Sequence, residues 1–141
     1  MRLHVVTPEE GVLVERLDVS SVTATGVLGE FVLLPGHEPF LTALAPGRFS
    51  FTEFERTHHF FAGGGFLQIV NDTVRILAES LIPMERLSLT AATEELEKAV
   101  HALEAARGQS EEYEARLESL VAAARVKVAM ARRRQAKAHR P

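Results

Sequence analysis

The chain has 141 residues, 46% apolar and 25% charged, with a net charge of −3, which fits one ordinary soluble domain or a domain of ~85 residues plus an appendage. It has no cysteine, which excludes disulfides, thiolate metal sites and cysteine nucleophiles. Trp is absent and Tyr113 is the only tyrosine, which argues against a large ring-lined pocket, although eight Phe remain for packing.

The N-terminus, Met1-Arg2-Leu3-His4-Val5-Val6-Thr7-Pro8, enters an apolar-rich strand with neither a signal-peptide core nor a transit composition. Short β-prone runs follow at Val12–Val14, Val19, Val22–Thr25, Phe31–Leu34, Phe49–Thr52 with Phe54, His59–Phe61, Phe66–Val70 and Val74–Leu77. Between them stand breakers: Gly26, Gly29, Pro35-Gly36, Pro46-Gly47, Gly63-Gly64-Gly65 and Asn71-Asp72. Many short strands with a turn signal between each pair predict an antiparallel β-sandwich or barrel, with a hairpin at Asn71-Asp72. No helical pattern interrupts the run, which argues against a parallel βαβ arrangement.

Three features of this half invite chemistry. Gly63-Gly64-Gly65 resembles a phosphate loop, but a strand follows it where that chemistry needs a helix N-terminus, so a tight turn is expected. His58 and His59 are adjacent on a strand and point to opposite faces, which does not suit chelation of one ion. His37, in Pro35-Gly36-His37-Glu38-Pro39, has no visible nucleophile or carboxylate orienter, and reads as a turn histidine on a contact surface.

Near residue 87 the period changes. Ala92, Leu96, Ala99, Leu103 and Ala106 recur at helical spacing, with Ser88 or Thr90 as the cap and Glu94, Glu95 and Glu97 suited to the positive end. Arg107-Gly108 is a stop, and Ser110 caps a second helix whose face is Tyr113, Leu117, Leu120, Ala124, Val128 and Ala131. The short connection predicts an antiparallel hairpin, giving domains at 1–86 and 87–141. Its stripes are rich in alanine, so the burial that holds it closed is small and the hairpin is expected to open easily. No run approaches ~18 apolar residues, so no helical span is expected and membrane association would be indirect.

Charge divides the chain more sharply than its total implies. Residues 1–86 carry eleven acids and six bases, residues 87–118 eight acids and three bases, and residues 119–141 no acid and seven bases. The basic end holds Arg125, Lys127, Arg132, Arg133, Arg134, Lys137 and Arg140. It lacks the interleaved aromatics of a base-stacking surface and the apolar face of a membrane-surface helix, so an acidic protein partner fits best and nucleic acid is not expected.

The order of features resembles the epsilon subunit of bacterial and chloroplast F-type ATP synthases, called delta in mitochondria. Gly29-Glu30-Phe31-Val32-Leu33-Leu34-Pro35-Gly36-His37-Glu38-Pro39-Phe40-Leu41-Thr42-Ala43-Leu44-Ala45-Pro46-Gly47 is similar to the family pattern G-E-h-h-h-h-P-G-H-x-P-h-h-T-x-h-x-P-G, where h is apolar. Gly64-Gly65-Phe66-Leu67-Gln68-Ile69 with Val74-Arg75-Ile76-Leu77-Ala78-Glu79 resembles a second family block. The resemblance implies a ten-stranded sandwich that grips the gamma subunit and touches the ring of c subunits through Glu30, His37 and Glu38. It also implies that the hairpin can extend along gamma, so that Arg125, Lys127, Arg132, Arg133 and Arg134 meet the β subunits of the alpha/beta hexamer and block ATP hydrolysis. The implied protein is a non-catalytic rotor subunit, with no catalytic residue, metal or cofactor of its own. It would sit at the cytoplasmic face of a bacterial inner membrane, or at the stromal face of the thylakoid for a plastid member.

One departure concerns nucleotides. Many bacterial members carry [IL]-D-x-x-R-A at the start of the hairpin, where this chain has Leu87-Ser88-Leu89-Thr90-Ala91-Ala92. Ser88 and Ala91 replace the Asp and the Arg, so no nucleotide site is expected. A nucleotide sensor and a basic helical-hairpin adaptor unrelated to rotary catalysis stand as alternative readings.

Overall fold

Side-chain alternation shapes the first half of the chain. In β1 (Arg2–Thr7) every second residue is buried: Leu3, Val5 and Thr7. The same two-residue period buries Leu67 and Ile69 of β8 (Gly65–Val70), and Val74, Ile76 and Ala78 of β9 (Thr73–Ala78). The remaining strands are β2 (Gly11–Arg16), β3 (Val19–Gly26), β4 (Gly29–Leu33), β5 (Phe40–Leu44), β6 (Gly47–Glu53), β7 (Arg56–Ala62) and β10 (Leu81–Pro83). This is a computed structural model that describes residues 1–138. It divides into two compact units, Met1–Pro83 and Met84 onward.

The strands form two five-stranded layers, β10-β7-β6-β3-β4 and β5-β8-β9-β1-β2, joined where Gly26 of β3 pairs with Leu44 of β5. Both layers contribute to one core, with Val22, Leu33, Phe49 and Phe51 from the first and Val5, Leu67, Ile69 and Val74 from the second. The result is a ten-stranded β-sandwich. Its pairings are antiparallel except that β1 lies parallel to β9, filling the edge that the β8–β9 hairpin leaves open.

Turn chemistry fixes the hairpin registers. Asn71 (φ 50°) and Asp72 (φ 59°) make the two-residue connection between β8 and β9, both in the left-handed region that Asn and Asp tolerate. Phe54 is not the strand residue its pattern indicates. The pair Glu53–Arg56 leaves only two residues for the β6–β7 turn, so Phe54 (φ 51°) and Glu55 (φ 64°) both adopt positive φ. Gly63 and Gly64 are not the tight turn expected of them: they carry the chain from β7 in one layer to β8 in the other, where the Gly63 N–H donates to the Ser80 carbonyl (2.9 Å) and the Gly64 carbonyl accepts the Glu79 N–H (3.0 Å). Gly65 (φ 135°) packs so closely on the Leu77 carbonyl that a Cβ there would collide with it.

The second unit begins with a short 3₁₀ turn, Met84–Arg86, then α1 (Leu89–Ala106) and α2 (Glu111–Ala138). Ser88 caps α1 by accepting the Ala91 N–H (3.2 Å), and Ser110 caps α2 by accepting the Tyr113 N–H (3.2 Å). The first turn of α1 holds no acid, because Glu94, Glu95 and Glu97 lie a turn further in than the charge pattern implies. Gly108 (φ 89°) turns the chain, and its N–H donates to Glu114 Oε1 (2.8 Å). α1 and α2 then pack against each other.

The buried stripe of α2 is Leu117, Val121, Ala124, Val128 and Ala131, with Met130 beside it. Tyr113 and Leu120 are exposed, in place of the core role their spacing indicates. Leu120 and Val121 lie one residue apart, about 100° round the helix, and only one of them can face α1. Small residues, Ala92, Ala106, Ala124 and Ala131, supply much of the contact, so each cap matters more. Ser88→Ala is expected to lower hairpin stability by about 1 kcal/mol, read from the helical circular-dichroism melt.

Candidate functional site

The sandwich offers contact surfaces at both ends and on one face. Glu30 is the second residue of β4, opposite Thr25 and close to the Val27-Leu28 turn, and its carboxylate lies 3.9 Å from the Arg48 guanidinium. Both side chains are half exposed, so this pair is weak and leaves Glu30 available. Leu28 at the turn is 98% exposed.

His37 and Glu38 lie beyond the other end of β4, so the strand separates them from Glu30 and the three residues do not form one cluster. Asp72 Oδ1 accepts the Gly36 N–H (3.0 Å), which ties this turn to the β8–β9 hairpin. His37 Nδ1–H donates to the Glu38 carbonyl (2.7 Å), and its ring rests 5.9 Å from Phe40.

A third surface crosses the outer face of the second layer. Ala43, Phe66, Leu77 and Val6 are paired across β5, β8, β9 and β1, forming one apolar row. The next row is Leu41, Gln68, Arg75 and His4. Phe66 is 57% exposed and Leu41 69%. Exposed apolar groups this contiguous mark an interaction face. The sequence carries its signal: Phe66 and Leu77 are apolar at positions where strict alternation calls for polar side chains.

On the hairpin, the five candidate bases divide in two. Arg125, Arg132 and Arg133 are exposed, and among the described residues no ion-pair partner meets them. Lys127 Nζ donates to both carboxylate oxygens of Glu95 (2.9 and 2.8 Å), and Arg134 donates to the carbonyls of Leu87 (2.9 Å) and Glu85 (3.0 Å). Arg140 lies outside the described residues. Ser88 and Ala91, the positions of the altered nucleotide motif, are joined by the helix-cap bond. His58 stacks on Phe51 (4.8 Å). Among the described residues no helix is long and apolar enough to cross a membrane.

These elements define a class: a ten-stranded β-sandwich with an appended helical hairpin. Residues 1–84 match the family ATP synthase, Delta/Epsilon chain, beta-sandwich domain. The chain is similar to the ATP synthase epsilon chain of Anaeromyxobacter sp. strain K, at 38% identity over 115 residues, covering 82% of this chain and 86% of the relative. The epsilon chain of Geobacter sp. strain M21 is 38% identical over 121 residues, covering 84% and 86%. Two solved structures share the fold. A chain of the Euglena gracilis mitochondrial ATP synthase in rotational state 1 superposes with TM-score 0.71 at 22% identity, covering 90% of this chain and 78% of that one. A chain of the Tetrahymena thermophila mitochondrial ATP synthase central stalk and c-ring gives TM-score 0.64 at 16% identity, covering 92% and 95%. This chain belongs to the ATP synthase delta/epsilon family.

Proposed function

We propose that the chain works as a non-catalytic rotor subunit of the central stalk, coupling ion flow through the c ring to ATP synthesis and braking ATP hydrolysis through its hairpin. The observation that carries the docking half is the apolar row Ala43–Phe66–Leu77–Val6, a face suited to gamma. His37 and Glu38, beside the start of β5, extend that contact. Glu30 with Val27 and Leu28, at the opposite end of β4, suits the polar loops of the c ring. On this reading the chain sits peripherally on the membrane face that carries the catalytic head, the cytoplasmic face in a bacterium.

The braking half rests on Arg125, Arg132 and Arg133, which present unneutralised charge to acidic segments of the β subunits in the alpha/beta hexamer. Lys127 and Arg134 join them when the hairpin opens. Their present engagement within the hairpin favours a second reading, in which the hairpin stays closed and the subunit only couples. Ser88 and Ala91 supply neither carboxylate nor guanidinium, which supports a hairpin without nucleotide sensing.

Phe66→Asp tests the docking face. It is expected to weaken binding to gamma about tenfold or more while leaving the unfolding midpoint of the isolated chain nearly unchanged, because Phe66 lies outside the core. Titration calorimetry against gamma measures it, and unchanged affinity would move the contact elsewhere.

A further inference from the structure

Lys127 and Arg134 are seven residues apart, two turns, and so share one side of α2. Each meets a different part of the chain. Lys127, its side chain only 11% exposed, places its ammonium between the two oxygens of Glu95 within α1. Arg134 spreads its guanidinium across the carbonyls of Glu85 and Leu87, Nη2 to the first and Nη1 to the second.

Those carbonyls precede α1 and have no place in its hydrogen-bond ladder. Leu87 is buried, so leaving its carbonyl without a partner is costly. A planar fork reaches two carbonyls at once, whereas a lysine ammonium is a single point. The alanine-rich contact between the helices holds them weakly, so polar ties of this kind have a large share in closure.

We infer that Lys127 and Arg134 form a two-point latch that holds the hairpin closed and keeps two of its bases occupied until it opens. The inference rests on the reading of the hairpin as a movable brake and supplies the device that stores it. With the latch shut, Arg125, Arg132 and Arg133 have no ion-pair partner among the described residues, whereas Lys127 is held by Glu95 and Arg134, although exposed, is held by two carbonyls. Opening frees two further positive charges for an acidic partner. The two points differ in their response to salt: the Lys127–Glu95 ion pair is screened, while the Arg134 bonds to neutral carbonyls are much less so.

Distance measurement on the isolated full-length chain tests this. There is no native cysteine, so Glu94→Cys with Gln135→Cys gives a specific spin-label pair on exposed positions of the two helices. The parent should show a short distance. Arg134→Gln should raise the long-distance population about tenfold, and Arg134→Lys should resemble it, because one ammonium does not bridge both carbonyls. Lys127→Gln and Glu95→Gln should match each other, with a smaller effect that fades at high salt.

A parent-like distribution in both Arg134 variants would overturn the latch. Far-UV circular dichroism checks that helix content is kept. Should an Arg134 variant lose helix, the charge swap decides: Glu95→Lys with Lys127→Glu should restore the short distance that Lys127→Glu alone loses, and failure to restore it overturns the proposal. The readout needs no partner, so a negative result here leaves the brake standing. Absent inhibition of the assembled enzyme, alongside a normal distance response, would remove the brake alone.

Discussion

Gly65→Ala is expected to destabilise the sandwich by about 3 kcal/mol or more, measured by urea unfolding of the isolated chain. Two effects add. Gly65 has φ 135°, a conformation that L side chains rarely adopt, and its Cβ would collide with the Leu77 carbonyl. That carbonyl belongs to the β8–β9 ladder, where Gly65 pairs with Ala78 and Phe66 with Leu77, so it cannot move without breaking the register. Gly11→Ala is the control. Gly11 also has positive φ (73°), but nothing lies within 4 Å of an added Cβ, so only the backbone term of about 1 kcal/mol applies. Equal losses at the two positions would mean that the Leu77 contact contributes nothing.

The second large effect concerns the brake. Reversing Arg125, Arg132 and Arg133 to Glu together should weaken inhibition of ATP hydrolysis about ten- to a hundredfold, if each base contributes ~0.5–1 kcal/mol to an exposed ion pair. These three are chosen because the latch uses the other two, so the closed hairpin itself is left undisturbed. The residual inhibition of the parent should fall as salt rises, and that of the variant should not. Unchanged inhibition by the triple variant would remove the charge-based contact.

The fold was legible where one residue pattern decided one structure. Strands with one buried face, such as β1, β8 and β9, announce themselves by alternation, and Asn71-Asp72 states its turn. β5 and β10 escaped for physical reasons. β5 is graded from exposed to buried without alternating, and it lies between Pro39 and Pro46; β10 is three residues ending in a proline. Phe54 has the composition of a strand residue, yet a register set by Glu53 and Arg56 makes it the tip of a turn.

The candidate site was legible in its residue types and not in its grouping. Sequence proximity places Glu30 with His37 and Glu38, but β4 carries the chain between them, so they belong to opposite ends of the sandwich. The bases of α2 look equivalent as a run of charge. Their division into bases held within the hairpin and bases that are not depends on a carboxylate 32 residues away and on carbonyls 47 and 49 residues away, which no local pattern contains. The Phe66–Leu77 row was readable as a fault in alternation, although its continuation to Ala43 and Val6 needed the strand order.

The rotor-brake role is tested by the ATPase rate of the cognate catalytic head stripped of this subunit, with full-length protein or residues 1–86 added back. Both are expected to bind, and only the full-length chain to slow hydrolysis, with the hairpin acting as the brake. Binding of both without slowing by either would contradict the brake, and binding of neither would contradict the stalk assignment.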